Sequence, residues 1–328
     1  MKKVKWGVLS VSGHFKMRVM PQFRKSDIIV LGGIASRSIE KAEIISGMFP
    51  ESKAYGSYEE LLKDKDIEAV YIPLPNHMHA EWTKKCADAG KHVLCEKPFG
   101  LNAAETAEAI SYAEKKGVLV MEAFMYRLQP AWRRAKEIIE SGEIGKIITI
   151  QSVFCYNNTD PKNIRNIKEI GGGGIYDIGC YCINSSRFLT GLEPERAVSL
   201  VKRADDKSTD TLASAMLDFG NLTSVFSVST SAFPAQRVEV IGTGGRLSLE
   251  LPFNTYNDVP SKLVVTGGLG TREVMFEPVD QYKIMLHEFS AAVRGEMKLP
   301  TSSADAINNM KVIDALFESE KNGRWISL

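Results

Sequence analysis

The sequence predicts an α/β protein in two parts. The first is an N-terminal doubly wound parallel sheet, and the second a C-terminal α+β region with a large open, mostly antiparallel sheet. Three observations carry this. Over roughly the first 120 residues, short apolar runs alternate with helical patterns. Between residues 196 and 276, strand-like runs follow one another without helices. At 328 residues the chain also exceeds the usual size of a single core, so two domains are expected.

The strands of the first part are Val4–Leu9, Ile28–Ala35, Ala69–Ile72, His92–Leu94 and Val118–Met121. Helical patterns fall near Met17–Arg24, Ile39–Met48, Tyr58–Lys63, His77–Ala89 and Ala103–Lys116. Strands with almost no polar interruption are buried on both faces, the condition of a parallel sheet covered by helices. This is the doubly wound, nucleotide-binding Rossmann arrangement. After Glu122 the texture changes to a helix, Ala131–Ser141, a strand, Lys146–Phe154, a run of glycines and a helix, Tyr176–Leu189. The strands Ala197–Lys202, Thr211–Phe219, Leu222–Ser229, Val238–Ile241 and Arg246–Leu251 follow. Two helices, Gln281–Val293 and Ala304–Lys321, close the chain. The expected domains are 1–121, binding a dinucleotide, and 122–328, serving substrate and dimerisation, with the last helix a candidate to pack back on the first.

Composition excludes several classes of function. Apolar residues make up 44% and charged residues 25%, ordinary for a globular chain, and the net charge is +1. No long Lys/Arg run points to nucleic acid or an anionic membrane. The five cysteines contain no Cys-x-x-Cys pair, which argues for a reducing compartment and against a disulfide framework or zinc site. Lys5 and Gly7 break the apolar run that a signal peptide would need. The expectation is a cytoplasmic protein that takes a small molecule, without nucleic-acid or membrane partners and without a metal.

A dinucleotide fold needs its first strand to enter a tight turn and then a helix whose N-terminus faces the pyrophosphate. The turn here is Gly7-Val8-Leu9-Ser10-Val11-Ser12-Gly13-His14-Phe15. Ser10 and Ser12 stand at the two turn-glycine positions, and Phe15 replaces the small residue of the usual fingerprint. Serine hydroxyls can donate to phosphate, Gly13 supplies a permissive backbone, and His14 lies between them; a Rossmann-like domain without a cofactor is the alternative. The second strand ends in Ser36-Arg37 and lacks the acidic residue that NAD enzymes place there, so NADP is favoured and NAD remains open. The plain alternative makes Arg37 the solvated start of the next helix. Pro73, Asn76 and His79 follow the third strand and Glu96 and Lys97 the next, all on the carboxyl edge where ligands bind. His77 and His79 are expected to cap and pack a loop rather than bind metal.

The glycines at 171–174 allow backbone to lie against a flat ligand, and Asp177 and Tyr181 sit four apart on the helix that follows. A carboxylate and a phenol together form the parts of a proton-transfer site, and Lys97 adds a cation. A flexible loop before an ordinary helix is the bland reading of the same residues.

Four motifs follow one another along the chain: Cys95-Glu96-Lys97-Pro98, Met121-Glu122-Ala123-Phe124-Met125-Tyr126-Arg127 with Pro130, Asn163-Ile164-Arg165, and residues 171–181. With them the chain resembles the glucose-fructose oxidoreductase, inositol dehydrogenase and rhizopine-catabolism (Gfo/Idh/MocA) family over essentially its whole length. Tyr181 at the end of the Asp-x-Gly-x motif is most like the dihydrodiol dehydrogenase and NADP-dependent xylose dehydrogenase branch. The resemblance implies an NAD(P)-dependent oxidoreductase acting on a sugar, polyol or diol. It also implies that Lys97 and Tyr181 flank the reacting carbon, that Asp177 holds substrate, and that the open sheet serves as a dimer interface.

Hydride transfer from a carbinol needs a base for the hydroxyl proton. A phenol near pKa ~10 is a poor base at neutral pH, and a neighbouring ammonium favours the phenolate. Tyr181 is therefore assigned the proton and Lys97 the developing alkoxide, with the reverse assignment open. Asp177 orients a second hydroxyl. Arg165 is a candidate grip on substrate or cofactor phosphate, Glu96 anchors its loop or touches ribose, and Tyr126 is a candidate pocket residue. Two readings compete with an active enzyme: a catalytically silent NADP-binding sensor on the same scaffold, and a plain sugar-binding protein.

Overall fold

A computed structural model describes residues 3–24, 26–203, 205 and 208–328. Its contacts divide the chain into two compact units, Met1–Met125 with Tyr282–Ile307, and Tyr126–Gln281 with Asn308–Leu328.

The first unit holds β1 (Val4–Leu9), β2 (Ile29–Ala35), α1 (Ile39–Ser46), β3 (Lys53–Tyr55), α2 (Tyr58–Lys63), β4 (Ala69–Ile72), α3 (His79–Asp88), β5 (His92–Cys95), α4 (Ala103–Lys115) and β6 (Val120–Glu122). The six strands pair in parallel in the order β3-β2-β1-β4-β5-β6. Trp6, Val8, Leu31, Val70, Ile72 and Val93 are all fully buried, as their uninterrupted apolar runs required. The order reverses between β1 and β4, so the carboxyl ends of these two strands border the ligand crevice of the sheet. The helix expected near Met17–Arg24 is instead a π-helical turn, Phe15–Val19, followed by a 3₁₀ turn, Met20–Phe23. Pro21 cannot donate the amide that a regular helix would use there.

The second unit begins with α5 (Pro130–Glu140) and β7 (Ile147–Asn157). A π-helical turn, Ile175–Gly179, leads directly into α6 (Cys180–Thr190). Next come β8 (Arg196–Arg203), β9 (Asp210–Asp218), β10 (Thr223–Ser229), β11 (Ser231–Gly242), β12 (Gly245–Glu250), β13 (Ser261–Gly267) and β14 (Gly270–Phe276). The chain then forms α7 (Gln281–Val293), α8 (Ser303–Asn322) and β15 (Ile326–Ser327). The sheet has nine strands in the order β14-β13-β12-β11-β7-β10-β9-β8-β15. Among the described residues only β7 and β10 pair in parallel, so the sheet is mostly antiparallel, as expected. Within the first unit, α7 covers β1: the Trp6 indole donates to Ser290 Oγ at 3.0 Å, and its ring lies 5.4 Å from Phe289.

Candidate active site

In the first unit the carboxyl ends of the strands gather the expected cofactor residues. Ser10 has a φ of 106°, a conformation that glycine adopts freely and serine rarely does. Its amide donates to Ala35 at 2.9 Å, fixing the turn onto β2. The permissive backbone expected of Gly13 therefore lies at Ser10; a Cβ on Gly13 would meet nothing within 4 Å. Ser12 caps the turn that follows, its Oγ accepting from the Phe15 amide at 3.1 Å and its carbonyl from Lys16. Phe15 is wholly buried with its ring 6.5 Å from Tyr71, so its side chain belongs to the core and not to a ligand surface.

At the end of β2, Ser36 is buried and its Oγ accepts from the Ser38 amide at 3.2 Å. Arg37 is exposed and makes no ion pair or hydrogen bond among the described residues, which leaves its guanidinium available to an anion. Beyond β4, Pro73 is buried and Asn76 opens a short 3₁₀ turn, Asn76–Met78.

His79 corrects its expected cofactor role. It is fully buried, with Nδ1 2.8 Å from the Pro98 carbonyl and Nε2 2.8 Å from the Leu74 carbonyl. Burial pushes its pKa down despite both carbonyls, and a neutral ring donates to only one of them. Its place is structural: it ties the loop after β4 to the turn after β5.

That turn carries Lys97, which is half-buried, and its neighbours are pinned at three points. Glu96 accepts from the Tyr71 hydroxyl at 2.5 Å and lies 3.4 Å from His14 Nε2. Pro98 meets His79, and the Phe99 amide donates to Glu122 Oε1 at 2.8 Å. Burial pushes the Glu96 carboxyl up, but His14, Tyr71 and Lys97 outweigh it and hold the pKa at about 2. Glu96 is thus an anchor, and His14 links the first turn to it.

In the second unit the glycine run packs on the protein itself. Gly171–Gly174 are buried, and a Cβ on Gly172 would stand 2.6 Å from the Arg165 carbonyl and 2.7 Å from that of Ile167. Their lack of side chains serves close internal packing, in place of the flat ligand expected from sequence. Asp177 follows on the π-helical turn. Its Oδ2 accepts from the Tyr156 hydroxyl at 2.6 Å, and Arg165 Nε lies 3.1 Å from both carboxylate oxygens. Arg165, expected at a phosphate, thus commits its Nε to Asp177. Both contacts fix the Asp177 carboxylate in place on the segment that also carries Tyr181.

Tyr181 is 5% exposed, its ring 5.2 Å from Phe253, 5.6 Å from Phe154 and 5.8 Å from Tyr126. Tyr126, expected to line the pocket, is fully buried; its hydroxyl donates to Asn184 Oδ1 at 2.6 Å and its ring packs on Trp132 at 4.6 Å. It supports Tyr181 from behind. Sequence reasoning missed Tyr156, whose only signal was a phenol at a strand end, and Asp210, a carboxylate opening a strand otherwise rich in small and apolar residues.

Comparison with known proteins agrees with both units. An oxidoreductase-family model with an NAD-binding Rossmann fold matches residues 4–124, and a GFO/IDH/MocA C-terminal-domain model matches residues 132–248. The chain is 34% identical to D-xylose 1-dehydrogenase (NADP(+)) 2 of Haloferax volcanii, over 98% of this chain and 99% of that one. It is 31% identical to the trans-1,2-dihydrobenzene-1,2-diol dehydrogenase of Mus musculus, over 80% of this chain and 78% of the relative. Among solved structures, aldose-aldose oxidoreductase from Caulobacter crescentus complexed with glycerol superposes with a TM-score of 0.89 at 25% identity, covering 100% of both chains.

Proposed function

The chain belongs to the Gfo/Idh/MocA family of oxidoreductases, and from that membership we propose that it acts on an aldose or vicinal diol, with a bound NADP supplying or accepting the hydride. The substrates named for the two relatives, D-xylose and a trans-dihydrodiol, share a CH–OH carbon beside a second hydroxyl. The observation that carries the reading is Asp177, a carboxylate held by Arg165 and Tyr156 and presented four residues before Tyr181.

The roles follow from the chemistry of each group. Tyr181 exchanges the proton of the reacting hydroxyl. The Lys97 ammonium stabilises the alkoxide and favours the phenolate. Asp177 accepts a hydrogen bond from the neighbouring hydroxyl and so sets which carbon reacts. Ser10 and Ser12 serve the pyrophosphate, and Ser36 and Arg37 the 2′-phosphate that distinguishes NADP. The glycine-like backbone at Ser10, in the turn just beyond β1 where the sheet order reverses, supports a dinucleotide there.

Two finer readings go with this. The five cysteines are free thiols, which supports a reducing, cytoplasmic setting, and among the described residues no helix is long and apolar enough to cross a membrane. The nine-stranded sheet exposes Leu200, Leu212 and Val225 on one face of β8, β9 and β10, and that face is the proposed interface of a homodimer.

The test is turnover of NADP with a panel of aldoses and trans-diols, alongside titration of NADPH fluorescence. Lys97→Met is expected to abolish turnover and leave NADPH binding intact. Retained turnover removes Lys97 from the chemistry. Tyr181→Phe is expected to lose most of the rate; a variant equal to wild type hands the proton to Lys97 or water. NADPH binding at least ~10-fold tighter than NADH, about 1.4 kcal/mol, supports Arg37 as the phosphate reader, and equal binding withdraws it.

A further inference from the structure

We propose that Asp210 is a positioning residue for the reaction: from the start of β9 it sets the helical segment that presents Asp177 and Tyr181. The assignment rests on the roles given to those two residues above. Asp210 touches no expected ligand and is 1% exposed. Its Oδ2 accepts from the Ile175 amide at 2.6 Å, two residues before Asp177. Its Oδ1 has no hydrogen-bond partner among the described residues. That oxygen occupies the place of a side chain on Gly173, where a Cβ would stand 2.0 Å away. A Cβ on Gly174 would stand 3.1 Å from Oδ2. Gly173 also has a φ of +123°, so the chain turns into the helix at the point where the carboxylate presses on it.

A buried carboxylate with one unpartnered oxygen is costly and calls for a physical reason. Here the reason is geometric. The carboxylate fills the space where the glycines lack side chains and holds the Ile175 amide at the start of the helical segment, where negative charge is favourable. Its own strand is fixed in turn: Asp210 pairs with Arg203 of β8, and the neighbouring Thr211 carbonyl accepts from the Thr230 amide at 3.0 Å. Beside the contacts that Asp177 and Tyr181 make with β7, Asp210 ties the start of their helical segment to β9.

Asp210→Ala is expected to lower kcat at least ~10-fold while NADPH binding stays unchanged, because the cofactor residues lie in the first unit. Amide hydrogen exchange is expected to quicken over residues 171–182 and nowhere else. Asp210→Asn, which keeps an acceptor oxygen for Ile175, is expected to recover most of both. Should Asp210→Ala fail to fold, Gly174→Ala decides, since the φ of −65° there suits alanine and only the contact with Asp210 opposes it. It is expected to lower kcat at least ~3-fold and quicken the same local exchange. Unchanged kcat and exchange in a folded variant, or quickened exchange throughout the second unit, overturns the proposal. The exchange readout needs no turnover, so it decides Asp210 even if the proposed substrates fail.

Discussion

Glu96 gives a prediction whose size follows from its surroundings. Its carboxylate has a side-chain exposure of 12% and is held by Tyr71 at 2.5 Å and His14 at 3.4 Å, with its pKa lowered from 4.5 to about 2. The folded value lies below the unfolded one, so the stabilisation is whole above the unfolded pKa and drains away as pH falls toward the folded pKa. The shift is worth at most roughly 3 kcal/mol, since each unit is about 1.4 kcal/mol. Linkage places the loss at roughly 40% of that by about pH 3.5. Glu96→Gln keeps the shape and an acceptor for Tyr71 but removes the titration. The stability advantage of wild type over this variant should therefore be greatest near pH 6 and shrink by about 1.4 kcal/mol by pH ~3.5. Urea unfolding followed by tryptophan fluorescence at several pH values measures it, and other carboxylates cancel because both proteins share them. An advantage that stays flat with pH, or widens as pH falls, would refute the argument that His14 and Tyr71 hold an ionised Glu96.

Other outcomes are expected from single contacts. Ser10→Gly relieves a left-handed serine, worth ~1–3 kcal/mol, against a chain-entropy cost of about 0.5–1 kcal/mol. Its melting temperature should rise, and a fall would mean that the Ser10 hydroxyl holds the turn more strongly than the strain opposes it. Tyr126→Phe removes the buried bond to Asn184 and should cost ~1–2 kcal/mol in urea unfolding with substrate KM unchanged; a large rise in KM would make Tyr126 a substrate contact. Asp210 has the opposite linkage sign to Glu96, because burial pushes its carboxyl up to about 6. Stability from this group is lost as pH rises through about 4 to 6, so the stability of Asp210→Asn relative to wild type should grow across that window by about 2 kcal/mol. A ratio independent of pH would contradict a buried, titrating Asp210.

The parallel sheet was legible because Val4–Leu9 and Ala69–Ile72 are apolar at nearly every position, which only two-sided burial explains. β3 was not, since Lys53-Ala54-Tyr55 is three residues long and shows no period. The reactive residues were legible as a set, Lys97, Asp177 and Tyr181, because their types carry the chemistry. Their supports were not. Tyr156 and Arg165 reach Asp177 only through the placement of β7 beside the glycine turn, and Asp210 meets Ile175 across 35 residues of chain. The glycines announced a tight place without naming what presses on it. Ser10 concealed one, because a serine carries no sign that its backbone is left-handed.

The interleaving of the two units bears on how this protein is made. Trp6 lies in the first strand, yet its partners, Phe289 and Ser290, leave the ribosome near the end of synthesis. The second unit waits even longer, since Ser199 is bonded to Ser319 and Arg203 to Glu320. Domains that are continuous in sequence can close one after another as they emerge. Here neither core is complete until the chain beyond Tyr282 is free. A nascent chain that ends before that point lacks the α7 residues that cover one flank of Trp6.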